Sequence, residues 1–195
     1  MDRRNFSMIM GVNRALNSYH NSIYEQKSYQ HKPCIFLSHK SEDKDKVEKI
    51  ANYIMKKGVD VYFDKYDNAL QEADRNNDDI GVTRCIQKGI SSCTHMMCIL
   101  SWATQDSWWV PYELGFGEKS GKDICSLKLK EIPSSKIPSY IRIKEFLKNK
   151  NDFERYINSL TRQWGINNTN TILEQKSSIY ASYNSIDLSD VLETY

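Results

Sequence analysis

The sequence predicts an α/β domain with a central parallel sheet of about five strands and helices on both faces. Two observations carry this. Short apolar runs, too brief to be helices, recur along the chain, each followed by a polar loop and then by apolar residues at helical spacing. The intervals between runs also leave room for the crossover connections, roughly a dozen residues or more, that parallel strands require.

Cys34-Ile35-Phe36-Leu37 is the first run, bounded by Pro33 and by Ser38-His39-Lys40-Ser41, as expected of a fully buried strand. Val47, Ile50, Ala51 and Ile54 follow at helical spacing, with acidic Glu42 and Asp43 at the start and Lys56-Lys57-Gly58 as a basic last turn and glycine stop. A second strand spans Val59 to Asp64. The polar stretch from Lys65 to about Asp79, containing Asn76, Asn77 and Asp78, reads as a long loop, and loops of that length are usually functional or mobile. Val82, Cys85, Ile86, Gly89, Ile90 and Cys93 carry the next helical stripe. Met96 to Leu100 is a third strand, a helix runs from near Ser107 to Gly121, and Ile124 to Leu127 is a fourth strand. Residues Ile141 to Leu160 supply a further short strand and a closing helix through Phe146, Leu147, Phe153, Tyr156 and Ile157. The alternation is that of a flavodoxin-like fold. In such sheets ligands bind beyond the carboxyl ends of the strands, here Ser38 to Lys40, Asp64 with its loop, and Ser101 onward.

Two extensions flank the domain, which is expected over residues 34–160. Residues 1–33 are polar and rich in Tyr and Asn, with an apolar patch from Phe6 to Leu16 (Met8, Met10, Val12) that suits a short helix. That helix could cover a face of the domain or serve an oligomer contact. Residues 161–195 turn Asn-, Thr- and Ser-rich beyond Gln163 and end in a weak helical piece, Leu188 to Tyr195, which reads as a loosely attached tail. Asn167-Asn168-Thr169 matches a glycosylation acceptor, which has no meaning in an intracellular protein.

Composition narrows the function. With 27 Lys and Arg against 25 Asp and Glu in 195 residues, the net charge of +2 makes no electrostatic case for nucleic acid or an acidic membrane. No apolar stretch approaches the roughly 20 residues of a bilayer span and no signal-peptide block is seen, so a soluble, cytoplasmic protein is expected. The five cysteines form no CxxC pair and sit in apolar runs, and the four histidines show no ligand spacing, so neither a disulfide nor a metal is expected. His95, opening a buried run, reads as a packed residue. Nucleotide-loop, nucleophile-elbow and zinc-protease motifs are missing.

The informative stretch is Ser107-Trp108-Trp109-Val110-Pro111-Tyr112-Glu113-Leu114-Gly115-Phe116-Gly117. With Ser107 or Asp106 as a helix cap, Pro111 falls in the first turns, where its missing amide costs least. Trp109, Glu113 and Phe116 then share one stripe and Val110, Leu114 and Gly117 another. The second suits the sheet, which leaves Trp109 and Glu113 side by side toward the crevice rim. By residue type alone Glu113 is an ordinary solvated glutamate. Gly115 and Gly117 hint at a close approach to the helix.

Taken together, "IFLSHKSEDKDKVEKIANYIMKKGVDVYFD", "IQKGISSCTHMMCILS" and "SWWVPYELG" resemble a Toll/interleukin-1 receptor (TIR) domain across about residues 34–160. The polar stretch after Asp64 lacks the glycine-proline centre common in receptor TIR domains, so receptor signalling contacts do not carry over. Many TIR domains cleave NAD, and the family's glutamate four residues after a tryptophan matches Glu113 after Trp109. The resemblance therefore implies Glu113 as the catalytic carboxylate, either facing the ribosyl cation or binding the ribose hydroxyls. It implies Ser38, His39, Lys40, Asp64 and Trp109 as NAD-binding residues, with Lys40 suited to the pyrophosphate and Trp109 to stacking on nicotinamide or adenine or simply to capping its helix. NAD is then substrate, with no cofactor. A free-standing TIR domain resembles bacterial antiphage proteins of the Thoeris type, which make an ADP-ribose-derived signal nucleotide for a separate effector protein, and homo-oligomers through TIR contacts are expected. The alternative is a non-catalytic adaptor acting by homotypic assembly. A weaker one, a flavodoxin-like nucleoside transferase, would need a second carboxylate, for which only Asp64 is available.

Overall fold

A computed structural model describes residues 10–17, 32–164 and 186–194. Five strands, β1 (Cys34–Ser38), β2 (Asp60–Tyr62), β3 (His95–Leu100), β4 (Asp123–Lys128) and β5 (Glu145–Leu147), form one sheet. All pairings are parallel, in the order β2-β1-β3-β4-β5. This is the doubly wound, flavodoxin-like arrangement read from the sequence. β1 and β3 are buried along their whole lengths because they lie inside the sheet with helices on both faces.

The α-helices among the described residues are α1 (Lys44–Lys56), α2 (Asn68–Arg75), α3 (Asp79–Ser91), α4 (Trp109–Lys119), α5 (Ser139–Arg142) and α6 (Lys150–Gln163), with short 3-10 turns between elements. The faces of the sheet follow from strand alternation. Ile35, Leu37, Met97, Ile99, Cys125 and Leu127 turn one way, onto Val47, Ile50 and Ile54 of α1 and Phe153, Ile157 and Leu160 of α6. Phe36, Tyr62 and Met96 turn the other way, onto Ile86 and Ile90 of α3. Helices α3 and α4 lie close on that second face through two glycines. A Cβ at Gly89 would meet the Tyr62 ring at 2.6 Å, and one at Gly117 the Met96 sulfur at 2.6 Å. The close approach expected of α4 is thus real at Gly117, whereas Gly115 faces open space.

The stretch after Asp64, expected as a long loop, is largely helical. Asp64–Tyr66 forms a 3-10 turn and α2 follows. Asp67 caps α2 by accepting from the Ala69 and Leu70 amides at 3.0 and 3.2 Å, and the Tyr62 hydroxyl bonds the same carboxylate. Leu70 is the one residue α2 buries, too little for a periodic signal. Asn77, at φ 54°, makes the left-handed link to Asp78, the cap of α3.

The N-terminal segment lies along the free edge of β2. Asn13 bridges Val61, and its side chain exchanges hydrogen bonds with the Phe63 backbone at 3.1 and 3.3 Å. Buried Asp60 takes Arg14 and Lys32 at 3.0 and 2.7 Å and the Val12 amide at 3.0 Å. Gly11 is required there, since a Cβ would come within 1.9 Å of the Val59 carbonyl oxygen. Only Arg14–Asn17 is helical, as a 3-10 turn; Phe6 and Met8 of the expected patch lie outside the described residues, as does Asn167-Asn168-Thr169.

The expectation of a loosely attached, helical C-terminal piece is corrected. Residues 186–194 form a turn rather than a helix, and Leu188, Val191 and Leu192 are buried in the α1/α6 core. The Lys130 amide donates to Val191 at 2.9 Å and the Lys150 amide to Glu193 at 2.8 Å. Lys128, itself buried, donates to Glu193 at 2.9 Å and to the Ile132 carbonyl at 3.0 Å. Leu188, Val191 and Leu192 stand at helical spacing, i, i+3 and i+4, yet the segment closes as a turn and all three pack into the core beside α1 and α6, a placement that near-neighbour spacing does not record. Leu192→Ala is expected to cost about 2–5 kcal/mol, as deletion of a buried leucine does; an unchanged denaturation midpoint would show the segment to be dispensable.

Candidate active site

The site lies at the carboxyl ends of β1 and β3, under α4. Ser107 accepts the Val110 amide at 3.2 Å, starting the helix as a serine before the first turn does. Val110, Glu113 and Gly117 then form its sheet-facing stripe. This differs from the stripe expected from spacing alone, which placed Leu114 inward and Glu113 beside Trp109 at the rim. Glu113 is only 6% exposed, whereas Trp109 is 41% exposed with its ring edge-on to Tyr112 at 5.8 Å. A carboxyl tolerates this burial because α4 passes over the point where apolar β1 gives way to a hydroxyl. The Ser38 Oγ donates to Glu113 Oε2 at 2.5 Å.

Sheet register sets what else surrounds this carboxyl. Ser38 pairs with Cys98, and Cys98 with Ser126, so the three share one level and one face. The Glu113 carboxyl pushes the Cys98 thiol up, after burial, which acts more strongly. Neither Cys98 nor Ser126 stood out in the sequence, because each sits inside an apolar strand with no motif around it. His39, next to Ser38, donates from Nδ1 to the Leu37 carbonyl two residues back, 2.9 Å away, and turns Nε2 toward Asp64 Oδ1 at 3.5 Å. Asp64 stands just past β2 and its charge is felt at Glu113.

The fold thus brings Ser38, His39, Asp64 and Glu113 together and leaves Lys40 and Trp109 at the margin. Lys40 is half-buried and has no ion pair among the described residues. A further network organises the neighbouring loop: the Ser101 hydroxyl bonds the buried Asp43 carboxylate, and the Thr104 hydroxyl takes the Ser101 amide at 2.9 Å. His95 lies at the opposite, amino end of β3 against Thr94, and burial lowers its pKa, in keeping with a packed role.

Desolvation dominates the electrostatics of Glu113 and raises its pKa to about 8; the Ser38 hydrogen bond works against this and Asp64 adds to it. A buried carboxyl held neutral at ordinary pH, with a hydroxyl fixing one oxygen and a second carboxylate nearby, is the kind of perturbed group that clusters at functional sites.

A doubly wound parallel sheet with a buried, perturbed glutamate at the carboxyl ends of its strands defines the class: an α/β domain of flavodoxin-like strand order. The sequence profile of the TIR domain family matches residues 35–161, and the chain belongs to that family. No functionally curated protein matches the sequence. Among solved structures, the chain matches the CMP N-glycosidase BcmB of Clostridium botulinum at 17% identity and a TM-score of 0.42, over 65% of this chain and 97% of that one. Among the described residues no helix is long and apolar enough to cross a membrane.

The raised pKa has a definite sign in stability. The folded state holds the Glu113 proton up to about 8 whereas an unfolded glutamate releases it near 4.5, so stability falls with pH between those values and levels off above. The slope is about 1.4 kcal/mol per pH unit. Glu113→Gln, which keeps a partner for Ser38, is expected to match wild type at low pH and to exceed it increasingly up to about 8. Parallel denaturation curves across that range test this, and a pH-independent difference would refute it.

Proposed function

We propose that this chain is an NAD-consuming TIR enzyme in which Glu113 promotes cleavage of the bond between nicotinamide and ribose. The single observation that carries the reading is the burial of Glu113 against Ser38 at the ligand end of the sheet. Breaking the C1′–N bond sends its electron pair to the pyridinium nitrogen, so nicotinamide leaves neutral and positive charge gathers on the ribose. An anion beside C1′ is stabilised by that charge more in the transition state than in the ground state. Desolvation strengthens the interaction and also keeps free Glu113 protonated. The cationic ring of NAD, once bound, favours the ionised carboxylate. With Ser38 occupying Oε2, Oε1 is left for the ribose. Lys40, without an ion-pair partner among the described residues, suits the pyrophosphate, and Trp109 offers an exposed face for a base.

In this reading NAD is a substrate, the product is an ADP-ribose-derived nucleotide, and the setting is cytoplasmic antiphage signalling to a separate effector, with TIR-to-TIR assembly of the chain itself. One observation favours the adaptor alternative. Glu113 lines neither the cavity of about 410 Å³ between the N-terminal segment and α1 nor the one of about 220 Å³ beside the first turn of α4. Trp102, Trp108 and Trp109 are meanwhile 48%, 93% and 41% exposed, a surface that homotypic assembly would cover.

Nicotinamide release from NAD separates the two readings. Wild type is expected to release it and Glu113→Gln to be about 100-fold slower or worse, the usual loss for one preorganised electrostatic group. Equal rates, or none from concentrated and assembled wild type, would leave the adaptor reading. For the enzyme, kcat/KM is expected to rise with pH toward about 8, where free Glu113 ionises, while kcat rises at lower pH because bound substrate is cationic. A kcat/KM that falls across this range would rule out an ionised Glu113 in the mechanism.

A further inference from the structure

Among the described residues, three buried side-chain atoms have no hydrogen-bond partner: His39 Nε2, Asp64 Oδ1 and Ser126 Oγ. Buried polar atoms are almost always satisfied, so such exceptions call for an explanation. His39 and Asp64 lie just past the carboxyl ends of β1 and β2 and Ser126 lies on β4, and the first two face each other at 3.5 Å.

That facing pair has a specific chemistry. A carbonyl oxygen only accepts, so the His39 Nδ1 bonded to Leu37 carries a hydrogen, and in a neutral ring Nε2 then bears a lone pair. An ionised Asp64 Oδ1 presents lone pairs as well. Two acceptors turned toward each other in a buried spot form a place for one proton. The imidazole is held there, since the His39 side chain is 2% exposed and its ring packs on Phe63 at 5.2 Å. Asp64 is fixed at its own carbonyl, which accepts from Gln71 at 3.3 Å. Its side chain is 28% exposed although Oδ1 is buried, so the other oxygen reaches the open side.

We infer that Asp64 takes the proton lost by the hydroxyl acceptor in the second half of the reaction, with His39 as the positioning residue that shares it. The inference rests on the N-glycosidic reading above. In hydrolysis of NAD the C1′–N pair leaves with nicotinamide, the acceptor oxygen bonds C1′, and the O–H pair stays on oxygen, so one proton is released. Glu113, committed to the ribosyl cation, does not have to receive it. Asp64 Oδ2 accepts it on the open side, and rotation of the carboxyl exchanges the two oxygens and brings Oδ2 with its proton to face His39 Nε2. The same group serves water or a sugar hydroxyl, so the acceptors this site activates are those that must lose a proton.

The test compares hydrolysis of NAD with exchange of its nicotinamide for added 3-acetylpyridine. A pyridine nitrogen attacks through a bare lone pair and releases no proton, so exchange needs no base. Asp64→Asn and His39→Gln are expected to lower hydrolysis tenfold or more relative to exchange, within the usual reach of a general base of about 100-fold and upward. Glu113→Gln is expected to lower both together. Equal loss of both activities in Asp64→Asn would reduce Asp64 to a binding role and overturn the inference. Independently of turnover, the nitrogen-15 shift of His39 Nε2 should move in Asp64→Asn, and an unchanged shift would also overturn it. Wild type yielding neither product from NAD would overturn the NAD reading instead, while the nitrogen shift still decides the pair.

Discussion

The hydrogen bond from Ser38 to Glu113 is the contact on which the site depends. It joins the last residue of β1 to the sheet-facing side of α4 and allows a carboxyl where the helix would otherwise need an apolar side chain. The surrounding features follow from this placement. α4 must lie close to the sheet, which Gly117 permits by accommodating Met96. The carboxyl must lose water, and this loss raises its pKa to about 8. One Ser hydroxyl offsets part of that penalty, so the site holds stored electrostatic cost that a bound cation can relieve.

The rest of the molecule secures the sheet that presents this contact. Edge strand β2 is covered by the 10–17 segment through buried Asp60, which keeps an otherwise open edge from pairing with another chain. On the α1/α6 side, the 186–194 segment completes the core, and Glu193 satisfies Lys128, whose burial at the end of β4 would be prohibitive without a partner. The first runs along β2 from Asp60 to Phe63, and the second acts at the carboxyl end of β4. The domain's boundaries in sequence are therefore narrower than the structural unit that holds the site.

Much of the fold was legible because it rests on local repetition. Cys34–Leu37, Met96–Leu100 and Ile124–Leu127 read as strands from their apolar runs, and each lies within an observed strand. α1 showed its stripe plainly in Val47, Ile50, Ala51 and Ile54. α2 did not, because it buries Leu70 alone and is held by its Asp67 cap. In the site, position was easier to read than environment. Ser38, His39, Asp64 and Glu113 were identified as candidates, yet Glu113 was expected at a solvated rim beside Trp109. The error was one of helix rotation. From Val110 a stripe to Gly117 can be drawn at i, i+3, i+7 through Glu113 or at i, i+4, i+7 through Leu114, and composition favours the leucine.

The sequence alone determined the class of fold, most of its strands and helices in order, and membership of the TIR family. These follow from periodicity and motif spacing, which are properties of neighbouring residues. The tertiary structure decided that Glu113 is buried and paired with a serine 75 positions away, that His39 and Asp64 face each other without a hydrogen bond between them, and that Leu188 and Leu192 belong to the core. Burial of a polar group depends on a partner brought from elsewhere in the chain. A pattern of near neighbours carries no record of that partner until the sheet assembles.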